Sequence, residues 1–307
     1  MSIRAFTFWI GFLFLSPTLA AANCIGVVTA GGGIGFWGDV KKGAELAGRE
    51  LAIPVHVRGA VEELNHSGQR SIIDFMVLSG CGGLVLAPTT SERKKDVLKL
   101  KADGIPTVYI DRDIGGASVS VIKTNNSQAG TLAGVEMAKA LGGEGRIAVF
   151  RQNRQVTTTR RREDAFIKAA IAGGLEVVMD AYIGSNVGDA RSLAFELLNK
   201  EIRIDGIFTP NESTSLGVIK ALEALGLSGE IVHIGFDVSK DMIAAIKSAR
   251  MFGAVVQQPF QMGYQGVRAV HQAMAGKRPE KYIDIGVVFV QKNNIEDAKI
   301  MNLLGLN

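Results

Sequence analysis

The alternation of short apolar β runs with amphipathic helical stretches, begun once and then begun again, restricts the fold of this chain more than any other feature. Cys24–Thr29 reads as a strand, 39–51 as a helix and 53–57 as a second strand. Ile72, Ile73, Met76 and Val77 then mark one face of a helix, before apolar runs at 83–87 and 106–110. The rhythm restarts after Asn125. Helical stretches at 129–141, 164–172, up to Leu198 and at 216–225 alternate with strand-like runs at 146–150, 175–179, 206–209 and 231–235. Strand, helix, strand, repeated, means a parallel sheet with helices on both faces. Two such runs imply an α/β protein of two doubly wound parallel-sheet lobes. No residue-level internal repeat accompanies the rhythm, and no Pro/Ser-rich linker separates the halves, so the lobes are expected to be closely apposed.

Residues 1–22 stand apart from this pattern. Met1 to Arg4 is a short positive segment, Ala5 to Leu15 is apolar, and Ala20-Ala21-Ala22 offers a cleavage site. That order reads as a secretory signal peptide cleaved near Ala22. The apolar run falls short of the ~20 residues a membrane span requires, and Ser16-Pro17 interrupts it. The chain is therefore expected to be cleaved and exported. A net charge of +4 comes with no dense basic tract, which argues against a nucleic-acid partner. An exported chain can keep a disulfide. Cys24 and Cys81 each open a predicted strand, and the usual doubly wound order makes those strands neighbours. A Cys24–Cys81 disulfide is expected, with two buried thiols as the alternative.

Chemistry-bearing residues gather at predicted strand ends. Phe36-Trp37 follows the first strand, Asp111-Arg112 the fourth, and Asn211 and Phe236-Asp237 two strands of the second half; Arg162 and Gln257 lie on intervening segments. Open α/β sheets bind ligands outside the carboxyl ends of their strands. A hydroxyl both donates and accepts, so a carboxylate beside a guanidinium or an amide satisfies it. An aromatic plate takes the apolar face of a ring. The set suits capture of a small polyhydroxylated molecule. Each member also has a plainer reading: Asp111-Arg112 as a surface ion pair, Phe36 and Trp37 as core aromatics, Arg162 as a solvated charge in a Thr-capped helix start, Asn211 as a helix cap, Gln257 as a backbone partner at a crossover.

In order along the chain, Gly35-Phe36-Trp37 with Lys42-Gly43-Ala44, Ile105-Pro106 through Asp111-Arg112, Arg162 through Phe166, Asn211-Glu212, Gly235-Phe236-Asp237 and Gln257-Gln258-Pro259 resemble the bacterial periplasmic sugar-binding proteins of the ribose-binding type. These are the type I solute-binding components of ABC transporters. The resemblance implies that Phe36 and Trp37 stack on a ring, that Asp111 and Arg112 clamp hydroxyls from the N-terminal lobe, and that Arg162, Asn211, Asp237 and Gln257 close the shell, with Phe236 as a second apolar wall. It implies three crossover hinges, near Thr124, Gln257 and Gly286. The lobes would be 23–124 plus 258–286 and 125–257 plus 287–307. It further implies a monomer that presents its closed form to a membrane permease, or alternatively to a sensor kinase or chemoreceptor. This chain departs from the family pattern at Gly33-Ile34-Gly35. It departs again after the strand at 175–179, where Tyr182 or Ser185-Asn186 would replace a C-lobe aromatic.

Other classes fit poorly. Gly33-x-Gly35-x-x-Gly38 formally matches a dinucleotide fingerprint, which leaves a nucleotide-dependent oxidoreductase as a remote alternative. Phe36 and Trp37 are bulky where a pyrophosphate would approach, and the second strand ends in Arg58 where an acidic residue would be needed. A LacI-type effector domain would carry a helix-turn-helix in place of the signal peptide. His56, His66, His233 and His271 form no metal-ligand spacing, and there is no CxxC or G-x-S-x-G. No cofactor, no metal and no enzymatic activity are expected.

Overall fold

The computed structural model describes residues 24–32, 35–200 and 202–304. The expected export signal and the Gly33-Ile34 pair lie outside them. The first half runs β1 (Cys24–Thr29), α1 (Phe36–Glu50), β2 (Val55–Gly59), α2 (His66–Leu78), β3 (Cys81–Leu86), α3 (Arg93–Ala102), β4 (Thr107–Ile110) and β5 (Ser120–Lys123). The second runs α4 (Asn126–Ala140), β6 (Gly145–Arg151), α5 (Thr157–Ala172), β7 (Leu175–Tyr182), α6 (Val187–Leu198), β8 (Gly206–Phe208), α7 (Glu212–Leu225), β9 (Val232–Phe236), α8 (Lys240–Lys247) and β10 (Gly253–Val256). Then come α9 (Pro259–Met274), β11 (Tyr282–Asp284), β12 (Val288–Gln291) and α10 (Ala298–Leu303).

Two six-stranded sheets result, ordered β11-β5-β4-β3-β1-β2 and β12-β10-β9-β8-β6-β7. Laying β1 to β5 on β6 to β10 makes the two orders the same. The halves differ at one edge, where β11 pairs parallel to β5 but β12 pairs antiparallel to β10. Every residue of β1, β4 and β10 is buried, as a parallel strand covered by helices on both faces requires. The apolar core is accordingly split between the two faces of each sheet. Side chains set the helix starts: Asn65, Asn125, Asn186, Asn211 and Ser239 each accept a backbone N–H from the first turn of α2, α4, α6, α7 and α8.

The chain passes between the sheets three times, from β5 into α4, from β10 into α9, and from β11 to β12. α4 packs on α5, and α9 returns to pack on α1. The α1–α9 approach depends on glycine, because a Cβ at Gly43 would strike the Phe260 carbonyl and one at Gly263 that of Val40. The crossovers bond to each other: the Asn125 N–H donates to Asp284 Oδ1 at 3.3 Å, and Gln258 Nε2 donates to the Ile285 carbonyl. β1 and β3 are neighbours with Cys24 opposite Cys81, and a disulfide joins the two.

Two boundaries fall earlier than the periodicity predicts. α1 begins at Phe36 and not at 39, so the aromatic pair belongs to its first turn and not to the preceding loop. α5 begins at Thr157, well ahead of 164. Its N-cap is Val156 with no side-chain cap, since the Thr159 hydroxyl donates backwards to the Val156 carbonyl.

Candidate binding site

A cavity of about 500 Å³ opens between the lobes at the carboxyl ends of both sheets. It falls within the roughly 300–1,000 Å³ range of small-molecule sites. Eight of the nine residues singled out for ligand contact line it: Phe36, Trp37, Asp111, Arg112, Arg162, Asn211, Asp237 and Gln257. Phe236 does not. It is fully buried in β9, and the Arg162 guanidinium lies over its ring, 3.8 Å from the centroid. Phe236 is therefore a platform beneath the arginine and not a wall of the cavity, because its ring, at the end of β9, is packed into the core with residues of α4 and α5.

From the N-terminal lobe, Phe36 and Trp37 meet edge to face with ring centroids 4.8 Å apart. Trp37 is only 7% exposed and its Nε1 donates to Glu63 at 3.3 Å. Asp111 terminates β4 at φ 61°. This is the left-handed region, uncommon for a residue other than glycine but several-fold enriched in Asp and Asn. Its N–H still bonds to the neighbouring strand, at the Ile122 carbonyl. Arg112 donates through Nε to Asp111 and faces Glu63 through Nη2, both at 3.1 Å. Burial alone would lower the Arg112 pKa, but Glu63 and Asp111 outweigh it and raise it. Burial drives the Asp111 pKa upward against the pull of Arg112 and Arg162.

The C-terminal lobe repeats the device. Asp237 terminates β9 at φ 63°, and its N–H bonds to Val255. Gln257 Nε2, on the second crossover, donates to Asp237 Oδ1 at 2.8 Å. Arg162 projects from the first half of α5 and is held by Asn126 Oδ1 at 2.7 Å and the Pro210 carbonyl at 2.9 Å. Asp237 stands 3.9 Å from it. Burial pushes the Asp237 pKa up and the Arg162 pKa down. Asn211 lines the cavity, yet its amide is engaged locally, with Oδ1 accepting from the Thr214 hydroxyl and Nδ2 donating to Ser213. Capping and lining thus coexist at Asn211.

Two side chains lay beyond what the sequence predicts. Glu63, in the loop after β2, joins Arg112 and Trp37; its place past a strand's carboxyl end was the available signal. Glu212, in sequence only the neighbour of a cap, reaches across the cleft and accepts from the Phe36 N–H at 3.4 Å. Gly35, at φ 61°, makes that approach possible, since a Cβ there would collide with the Glu212 carboxylate. Burial first and Asp237 second push the Glu212 pKa up to about 7. Of the two candidates the sequence leaves open after β7, Ser185-Asn186 lines the cavity, with Val187, while Tyr182 lies under the Arg154 guanidinium. The α1 amino end, where a fingerprint loop would seat pyrophosphate, is thus occupied by a carboxylate.

Comparison with known proteins follows the same lines. The family description "periplasmic binding protein domain" matches residues 25–278. The ribose import binding protein of Bacillus subtilis (strain 168) is 28% identical over 251 residues, 81% of this chain and 80% of that protein. The periplasmic component of an ABC-type sugar transport system from Hahella chejuensis superposes with a TM-score of 0.81 at 30% identity, covering 87% of this chain and 99% of the other. A carbohydrate transporter solute binding protein from Agrobacterium radiobacter, solved in complex with D-arabinose, gives a TM-score of 0.85 at 28% identity, covering 92% and 99%.

Proposed function

Because the chain belongs to the periplasmic binding protein family, a family of solute-binding proteins and not of enzymes, we propose that it captures a monosaccharide or related polyol between its lobes and delivers it to the membrane permease of an ABC transporter. One observation carries the reading. Two aspartates in the same left-handed conformation, at equivalent ends of β4 and β9, face one cavity from opposite lobes. Backbone outliers of this kind cluster where a ligand needs a fixed partner. The sugar-bound relatives support the same class of ligand.

The mechanism is closure about the three crossovers, with 23–124 plus 258–286 moving against 125–257 plus 287–307. Asp111 and Arg112 meet the ligand from one side, and Arg162 and Asp237 complete the shell from the other. Gln257 couples the second crossover to Asp237, so the hinge and the site share a hydrogen bond. The Phe36–Glu212 contact latches the closed form across the cleft mouth. The permease would read that closed surface on a monomer in the periplasm, after cleavage near Ala22.

Cleavage also removes Trp9 and leaves Trp37 as the single tryptophan of the chain. The test is a fluorescence titration of the mature protein, stripped of endogenous ligand by unfolding and refolding, against monosaccharides and polyols. A saturable change with one or two of them supports the reading. A flat response from folded, ligand-free protein across the whole panel overturns it.

A further inference from the structure

The cavity lining carries more negative than positive charge. Five carboxylates line it (Glu62, Glu63, Asp111, Glu212 and Asp237) against two cations, Arg112 and Arg162. Both cations are engaged by the protein: Arg112 by Asp111 and Glu63, Arg162 by Asn126, the Pro210 carbonyl and Asp237. The Trp37 N–H and the Gln257 amide N–H are taken as well, by Glu63 and Asp237. Arg112 Nη1 and Arg162 Nη2 keep N–H groups for ligand oxygens, but their charge is already met, and several acceptors of the lining have no matching cation or donor among the described residues. Among the described residues Glu212 faces no cation and is met only by the Phe36 N–H. The carbonyl oxygens of Gln257 and Gln152, residues 2% and 4% exposed that both line the cavity, have no donor among the described residues. Since Gln257 Nε2 is fixed on Asp237, its Oε1 is the atom left free.

A neutral polyol can donate hydroxyls to these acceptors but brings no charge to set against the excess of carboxylates. An ammonium group offers three donors and no acceptor, and brings a positive charge. We propose that the ligand is a cationic amino sugar or amino polyol whose ammonium group sits against Glu212, with Asp237 beside it. The inference rests on the sugar-capture reading and narrows it to one chemical class. Asp237 is the natural second partner, because it lines the same cavity near enough to Glu212 for its charge to act on that carboxyl. The upward push on Glu212 fits the same geometry: a buried carboxylate next to another carboxylate holds its proton until a cation arrives.

The experiment pairs neutral and amino congeners in one calorimetric and Trp37-fluorescence panel. D-glucose, D-galactose and myo-inositol are set against D-glucosamine, D-galactosamine and an amino-deoxyinositol, with the N-acetylated amino sugars as uncharged controls. The expected result is an amine bound at least about 10-fold more tightly than its hydroxyl congener, the scale of a hydrogen bond to a charged group, with the preference lost on acetylation. In Glu212→Gln the amine-to-neutral ratio should collapse toward one. Neutral congeners binding as well as or better than the amines would overturn the inference and leave sugar capture standing. Silence across both sets and across the wider monosaccharide and polyol panel would overturn sugar capture itself. The acetylation comparison uses the unmodified chain, so its outcome does not depend on the variant folding.

Discussion

The two halves of the cleft share a backbone device and differ in how their charge is balanced. Asp111 and Asp237 end equivalent strands in the same left-handed conformation, each with its N–H on the adjacent strand. In the N-terminal half, Arg112 is gripped by two carboxylates at 3.1 Å, so its charge is largely met within the protein. In the C-terminal half, Arg162 is anchored by neutral oxygens and by the face of Phe236, with its carboxylate 3.9 Å away. A repeated scaffold decides where the carboxylates stand. Their neighbours decide how much of that charge is left for a ligand. The lobes differ covalently too: β1 and β3 are stapled by Cys24–Cys81, while β6 and β8, their counterparts, pair without a cross-link.

The largest effect should come from removing that staple. The disulfide closes a separation of 57 residues, worth ~4 kcal/mol in the chain-entropy description. A Cys24→Ser/Cys81→Ser variant should lose that protection in amide hydrogen exchange across β1, β3 and β4, with β6, β8 and β9 keeping theirs and ligand affinity holding. Equal loss in both sheets would mean that the lobes open as one unit, and the contrast between a stapled and an unstapled lobe would fall.

Next in size are the two aspartates. Asp111→Ala and Asp237→Ala should each weaken ligand binding by at least ~2 kcal/mol, because the polar groups opposite are left unmatched. They should not be equal. Without Asp111, Arg112 keeps Glu63; without Asp237, Arg162 keeps no carboxylate within 4.0 Å among the described residues. Calorimetry should therefore find Asp237→Ala the costlier. The reverse order would refute the account of charge balance, and unchanged affinity in both would remove the pair from the site.

Much of this is legible in the sequence. The βα rhythm and the strand neighbours of Cys24 and Cys81 follow from periodicity and doubly wound order, since a buried parallel strand has no other way to look. β5, β11 and β12, of three or four residues each, carry too short a pattern to register. The equivalence of Asp111 and Asp237 is equally invisible there, because it resides in backbone conformation and strand order while the surrounding residues differ. Phe236 looks like a wall because it adjoins Asp237; its ring packs into the core beneath Arg162, while Asp237 lies past the end of β9 in the left-handed conformation. Glu63 and Glu212 need the cleft itself, since each matters through a partner on another element.

The smallest effect, and the one that isolates the latch between the halves, is in the pH dependence of stability. Glu212 holds its proton up to about 7 in the folded chain, against an ordinary value of 4.5. Between those values the folded state binds more protons than the unfolded, so this group's contribution is complete below about pH 4.5 and is lost as pH rises through about 7. His233 works in the opposite sense. Buried in β9 against the Thr209 hydroxyl, its pKa is lowered to about 3 from 6.5. Its contribution is complete above pH 6.5 and is lost as pH falls toward 3. Glu212→Gln keeps an uncharged group of the same shape at the latch and removes only the first slope. The ligand-free variant should therefore gain in melting temperature relative to the parent as pH rises from 5 to 8, while both lose stability alike below pH 5. A constant difference across that range would mean that Glu212 is ionised throughout, and the C-terminal half would then be as fully charged as the N-terminal one.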